Sequence, residues 1–170
     1  MDHLSRPVLT GAMTTGCATA ALVAATITNG LMAGLFAAYS YAVMPGLGRT
    51  DDRTFVAAMQ QTNAAILNGW FGICFAGSVV FAAVAVLLHL GRPGLQWIVA
   101  GLVLYVVVLV ITFRVNVPLN NALAATGPVT AEGATAARAA FESTWVRWNV
   151  VRAVCSTAAF GCLVGALAVR

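Results

Sequence analysis

Four long apolar stretches divide the chain, with short polar clusters at their ends. The first lies within Thr15–Met44, is interrupted only by Asn29, and stops at Pro45-Gly46. The second runs from Trp70 to Leu88 and stops at His89-Leu-Gly-Arg-Pro93. The third runs from Gln96 to Phe113 and ends in Arg114 and the motif Asn116-Val-Pro-Leu-Asn-Asn121. The fourth runs from Val150 to Val169. A helix needs about 20 residues to cross the hydrocarbon of a bilayer. Each stretch meets that length, so the pattern predicts four transmembrane helices.

The connections differ in kind. The link between the second and third stretches is short and predicts an antiparallel hairpin. The other two read as helix. Asp51-Asp52 stands where N-caps stand, and Thr54 through Asn68 reads straight into the second span. Thr130 caps an alanine-rich run, Ala131–Thr144, that is continuous with the fourth. Helices of 35 to 40 residues would be roughly 55 Å long, against a hydrocarbon core of about 30 Å. The expected fold is therefore all-α: a four-transmembrane-helix up-down bundle in which helices two and four extend into a small headpiece. Residues 1–170 form one membrane domain on this reading, with both termini on the side opposite the headpiece.

Composition supports a membrane protein. Only 8% of residues are charged and 61% are hydrophobic, with a mean hydropathy of +0.90. Soluble domains carry about 25% charged residues. The apolar stretch after Arg6 is far longer than the core of a signal peptide, so it predicts a span and not a cleaved leader. The net charge of +4 is carried by scattered arginines, with no lysine and no basic run, which argues against a nucleic-acid partner. Arg6, Arg92 and Arg170 fall on the side of the termini and six arginines on the headpiece side. Counting positive charges favours a cytoplasmic headpiece, in a bacterial inner membrane. Cys17, Cys74, Cys155 and Cys162 lie in apolar segments and read as small hydrophobes, so no metal is expected. Gly30/Gly34 and Gly161/Gly165 are small-residue faces that suit close helix packing, inside the bundle or in a homo-oligomer.

The polar residues converge. Tyr39-Ser40 and Met44-Pro45 close the first span, and Gln60, Asn63 and Trp70 lead into the second. Arg114, Asn116, Asn120 and Asn121 follow the third, while Trp145, Trp148, Asn149 and Arg152 open the fourth. The up-down topology puts all of them at the headpiece end. Glu142, Trp145, Asn149, Arg152 and Ser156 are spaced three or four apart and share a helix face. Arg152 lies deep enough that it has to point inward, towards an acid, a carbonyl or an anion. Arg138 competes for Glu142 as an i,i+4 partner. Taken singly, tryptophans at membrane edges are ordinary interfacial anchors, and Asn-x-Pro is an ordinary helix stop.

At these residues the chain resembles the anthrone oxygenase-like family of small four-helix membrane proteins. The resemblance rests on Gly34-Leu-Phe-Ala-Ala-Tyr39-Ser40 with Met44-Pro45, and on Met59-Gln60 with Asn63 before Phe71. It continues through Asn116-Val-Pro-Leu-Asn120, Trp145, Trp148-Asn149 and Arg152, and so covers nearly the whole chain. It implies oxygenation of an anthrone-like phenol without metal, flavin or any other cofactor. On that implication Trp145, Trp148 and Trp70 wall a flat hydrophobic substrate, with Tyr39, Asn120 and Arg114 also in contact. Arg152, Asn149, Asn63 and Asn116 hold its oxygen. The base is Glu142 or Tyr39, unless the substrate arrives ionised. Two readings from other classes fit the same residues: a non-catalytic protein binding a quinone, phenol or lipid, and an accessory subunit of a membrane complex.

Overall fold

The computed structural model describes residues 5–128 and 130–169, with side chains at 14–128, 130 and 132–169. His3, Arg170 and the side chain of Arg6 lie outside the described residues. The helices are α1 (Ser5–Ala38), α2 (Met44–Leu47), α3 (Asp52–Ala65), α4 (Gly69–Leu88), α5 (Leu95–Ile111), α6 (Val117–Ala125) and α7 (Ala131–Ala168). Four stretches are long and apolar enough to cross a membrane: Thr14–Leu47, Gly69–Leu88, Leu95–Ala125 and Glu132–Ala168.

Packing fixes their order. At one end Leu22 of α1 meets Ala85, late in α4, Ile98, early in α5, and Leu163, late in α7. Successive long helices therefore alternate in direction. The α4–α5 link turns through Gly91 and Gly94, both with positive φ. Gly94, at φ +85°, is also closely packed, because a Cβ would stand 3.3 Å from the Ala166 carbonyl oxygen. Gly30 packs under Phe160 and Gly165 lies against Trp97, so these two small residues serve packing within the chain.

The headpiece lies at the other end. Phe55, Val56 and Met59 of α3 are fully buried against Leu123, Ala134, Phe141 and Trp145. Arg138 ties the surrounding strands of chain together. It pairs with Glu142 at 2.6 Å and Asp52 at 3.0 Å, and donates to the carbonyls of Gly48 and Thr50. Both expected caps form: Asp51 accepts from the Thr54 amide and Thr130 from that of Gly133. The hydrogen bonds from Thr54 hold the Asp51 carboxyl below the usual carboxylate range.

Three helix boundaries differ from expectation. α3 does not run into the second span. Asn68 adopts an extended conformation, accepts from the Phe71 amide and donates to the Ala65 carbonyl, so it ends one helix and caps the next. α7, by contrast, is continuous as expected, and its 38 residues reach well beyond the hydrocarbon. The first and third spans also fail to stop at their prolines. Each passes through a π turn, Tyr39–Val43 or Thr112–Asn116, and resumes as α-helix. Within these turns the Met44 amide bonds to the Tyr39 carbonyl and the Val117 amide to that of Thr112, five residues back. Pro45 and Pro118 then sit in the first turn of the next α segment, where a missing N–H costs nothing.

Candidate functional site

Both π turns open onto one face of α7, and this is where the buried polar groups meet. Arg152 is 6% exposed, and Asn116 and Asn149 are 1% exposed. Arg152 Nη2 donates to Asn149 Oδ1 at 2.9 Å, and Nη1 donates to Thr112 Oγ1 at 3.3 Å. Asn149 Nδ2 donates to the Phe36 carbonyl at 3.0 Å and to Ser40 Oγ at 2.9 Å. The amide can face only one way, because arginine only donates and a backbone carbonyl only accepts. α7 is thereby linked to the π turn after α5 through Arg152 and to the end of α1 through Asn149.

Aromatic rings complete the setting. The guanidinium carbon lies 4.5 Å from the Phe36 ring centroid and 5.5 Å from that of Trp145. Trp145 is held in turn: its Nε1 donates to Asn120 Oδ1 at 2.8 Å, and its ring lies 5.8 Å from Tyr39. Asn116 Nδ2 approaches the Trp145 carbonyl at 3.5 Å, a long contact. Three buried polar atoms here and nearby find no partner among the described residues: Arg152 Nε, Asn116 Oδ1 and Asn63 Nδ2.

Electrostatically the cluster is one-sided. Both ion pairs among the described residues belong to Arg138. Glu142, open to either Arg138 or Arg152 by spacing, is committed to Arg138 one turn away on α7. Arg152 is left with two neutral oxygens and two ring faces. Cation–π contact of this desolvated kind is worth about 2 kcal/mol, which offsets only part of the cost of a buried charge. The arrangement favours a negative oxygen near Arg152 Nε.

Of the expected site residues, the structure joins Tyr39, Asn116, Asn120, Trp145, Asn149 and Arg152. Asn63 stands on α3 with its amide nitrogen buried, outside the hydrogen-bonded chain. Trp148 is half-buried, and Arg114 is exposed. Trp70 is 80% exposed and belongs to the outer surface, so it does not wall the cluster. Thr112 and Phe36 are additions that the sequence reading missed. Thr112 stands four residues before Asn116, the spacing that marks a shared face. Phe36 stands four before Ser40 in the same way.

Comparison with protein families matches residues 64–162, more than half of the chain, to the anthrone oxygenase family. Searches of curated proteins and of solved structures return no match. The matched segment contains Asn116, Asn120, Trp145, Asn149 and Arg152, and leaves Tyr39 and Ser40 outside it. With all four membrane-length helical stretches also in place, the chain belongs to the anthrone oxygenase family.

Proposed function

We propose that this protein is a membrane-embedded oxygenase acting on anthrone-like polycyclic phenols, with Arg152 holding the substrate's oxyanion. The observation that carries this reading is the buried guanidinium without a carboxylate. An arginine in a membrane helix costs up to about 2.5–3.5 kcal/mol on insertion scales, the value at the helix centre. A negative ligand oxygen would repay that cost, and family membership supplies the chemical class of the ligand.

The chemistry then needs no external reductant. The substrate ionises beside Arg152 and gives its proton to solvent. The delocalised carbanion gives one electron to O2, and the two radicals join as a peroxide on the ring carbon. That carbon loses its remaining hydrogen as a proton while the O–O bond breaks, which forms a C=O bond and releases water. One oxygen atom stays in the quinone and the other leaves as water. Arg152, with Asn149 and Thr112 fixing its position, stabilises the charge that develops on the substrate oxygen.

Oxygen uptake by purified protein with an anthrone substrate tests this, measured against heat-denatured protein because anthrones autoxidise. Arg152→Met should lower turnover about 10²- to 10³-fold, the size of a lost electrostatic donor. Equal uptake by the variant and the parent would contradict the assignment. One observation favours a second reading, a non-catalytic protein that binds a quinone or phenol. Among the described residues, no carboxylate or imidazole hydrogen-bonds within the cluster to act as a base. Saturable binding without uptake above the denatured control would select it.

A further inference from the structure

Arg152 is buried, closed off towards the headpiece, and a groove runs beside its hydrogen-bonded partners on another side. Towards the headpiece, Trp145 lies over the guanidinium, and behind it Phe55, Val56 and Met59 are fully buried. Towards the bilayer, α1 and α7 part into an open groove of about 490 Å³, lined by small residues such as Ala37, Ala153 and Ala158. That volume falls within the range of small-molecule sites, about 300–1,000 Å³.

Ser40 connects this groove to the cluster. It lines the groove, and its hydroxyl accepts from Asn149, which in turn accepts from Arg152. The same hydroxyl donates to the Phe36 carbonyl. A hydroxyl has one donor and two acceptor sites, so Ser40 keeps one lone pair for a third partner. An acyl chain has nothing to offer that lone pair. A phenol O–H does. Tyr41, also on the groove, is 74% exposed, as expected of an aromatic side chain at the membrane boundary where amphipathic rings collect.

We infer that the site is loaded sideways from the membrane. A planar, lipid-soluble phenol enters between α1 and α7, lies over Ala37, Ala153 and Ala158, and turns its hydroxyl to Ser40 and the Asn149–Arg152 pair. This rests on the Arg152 cluster being the substrate site.

Photolabelling of the full chain in lipid nanodiscs with 4-hydroxybenzophenone, a lipid-soluble phenol that inserts into C–H bonds on illumination, tests the route. Adducts are expected on the α1 and α7 peptides carrying Ala37 to Tyr41 and Val150 to Ala158. Excess hydroxyanthraquinone should suppress them about tenfold. Ala158→Trp should fill the groove and reduce labelling to a similar extent, while Ala158→Ser should not. Thr157→Trp fills the same groove if Ala158→Trp does not fold. Adducts confined to the headpiece, or full labelling in both tryptophan variants, would overturn the route. So would groove adducts that no excess of phenol displaces, because they would mark an acyl-chain groove. Labelling does not require turnover. Competed groove adducts without oxygen uptake would therefore sink the oxygenase reading and leave the lateral route standing.

Discussion

At the scale of single residues, Asn149 carries the most structural weight around the arginine. It joins α7 to α1 and supplies the acceptor for Arg152 Nη2. Asn149→Leu should leave a charged donor unpaired and cost about 1–3 kcal/mol, seen as a lower thermal midpoint together with lost turnover. Asn29 is the opposite case. It is fully buried in α1, and neither amide atom has a partner among the described residues. Asn29→Val, an apolar side chain only slightly larger, should raise the thermal midpoint, since an unpaired buried amide costs about 1–3 kcal/mol. A fall would show that something absent from the polypeptide satisfies the amide. Arg152, Asn149 and Trp145 were legible in the sequence because helical spacing puts them on one face. Thr112 was not, because a threonine in an apolar helix usually turns its hydroxyl to the carbonyl four residues back. Thr112 does that too, donating to Val108 while accepting from Arg152. Spacing alone could not decide the partner of Glu142, which has Arg138 four residues before it and shares a face with Arg152. The structure gives it to Arg138.

At the scale of elements, the two π turns shape the site. A π turn is one extra residue accommodated locally, so the helix beyond it keeps the facing it would have without that residue. Deleting the exposed Arg114 should therefore convert Thr112–Asn116 to α-helix, keep Asn120 on Trp145 and leave the thermal midpoint nearly unchanged. Deleting the equally exposed Val107 inside α5 should rotate everything downstream by about 100° and unfold the headpiece contacts. Equal damage from both deletions would contradict this account of the turn. The sequence signalled each place with a proline two residues after the turn, and a proline reads as a stop. Whether a helix stops or widens depends on tertiary contacts from α7, which local pattern does not carry. The break between α3 and α4 escapes the sequence pattern for the converse reason. Helical composition runs on through residues 66–69, and the side chain of Asn68 alone ends it. The four spans, the headpiece and the caps at Asp51 and Thr130 were legible, because they rest on periodicity and on local capping chemistry.

At the scale of the molecule, the headpiece end carries six of the nine arginines. Arg49, Arg53, Arg114 and Arg147 are exposed there and form no ion pair among the described residues. The exposed positive charge is thus free to set orientation, and the headpiece should face the cytoplasm. A cysteine placed at the exposed Thr126, in a background with the four native cysteines replaced, should resist a membrane-impermeant maleimide in intact cells and react after permeabilisation. Reaction in intact cells would reverse the orientation. The central claim is that the bundle encloses a cation to receive a substrate oxyanion. It is tested most directly by titrating a hydroxyanthraquinone bound to the purified protein, since its absorption changes colour on ionisation and it is not oxidised further. A positive charge held close lowers the pKa of an acidic group by roughly 1–3 units. The bound phenol should therefore ionise at a lower pH than the free phenol, and Arg152→Met should abolish the difference. Ionisation at the same or a higher pH in the wild type, or a shift that survives in Arg152→Met, would contradict the claim.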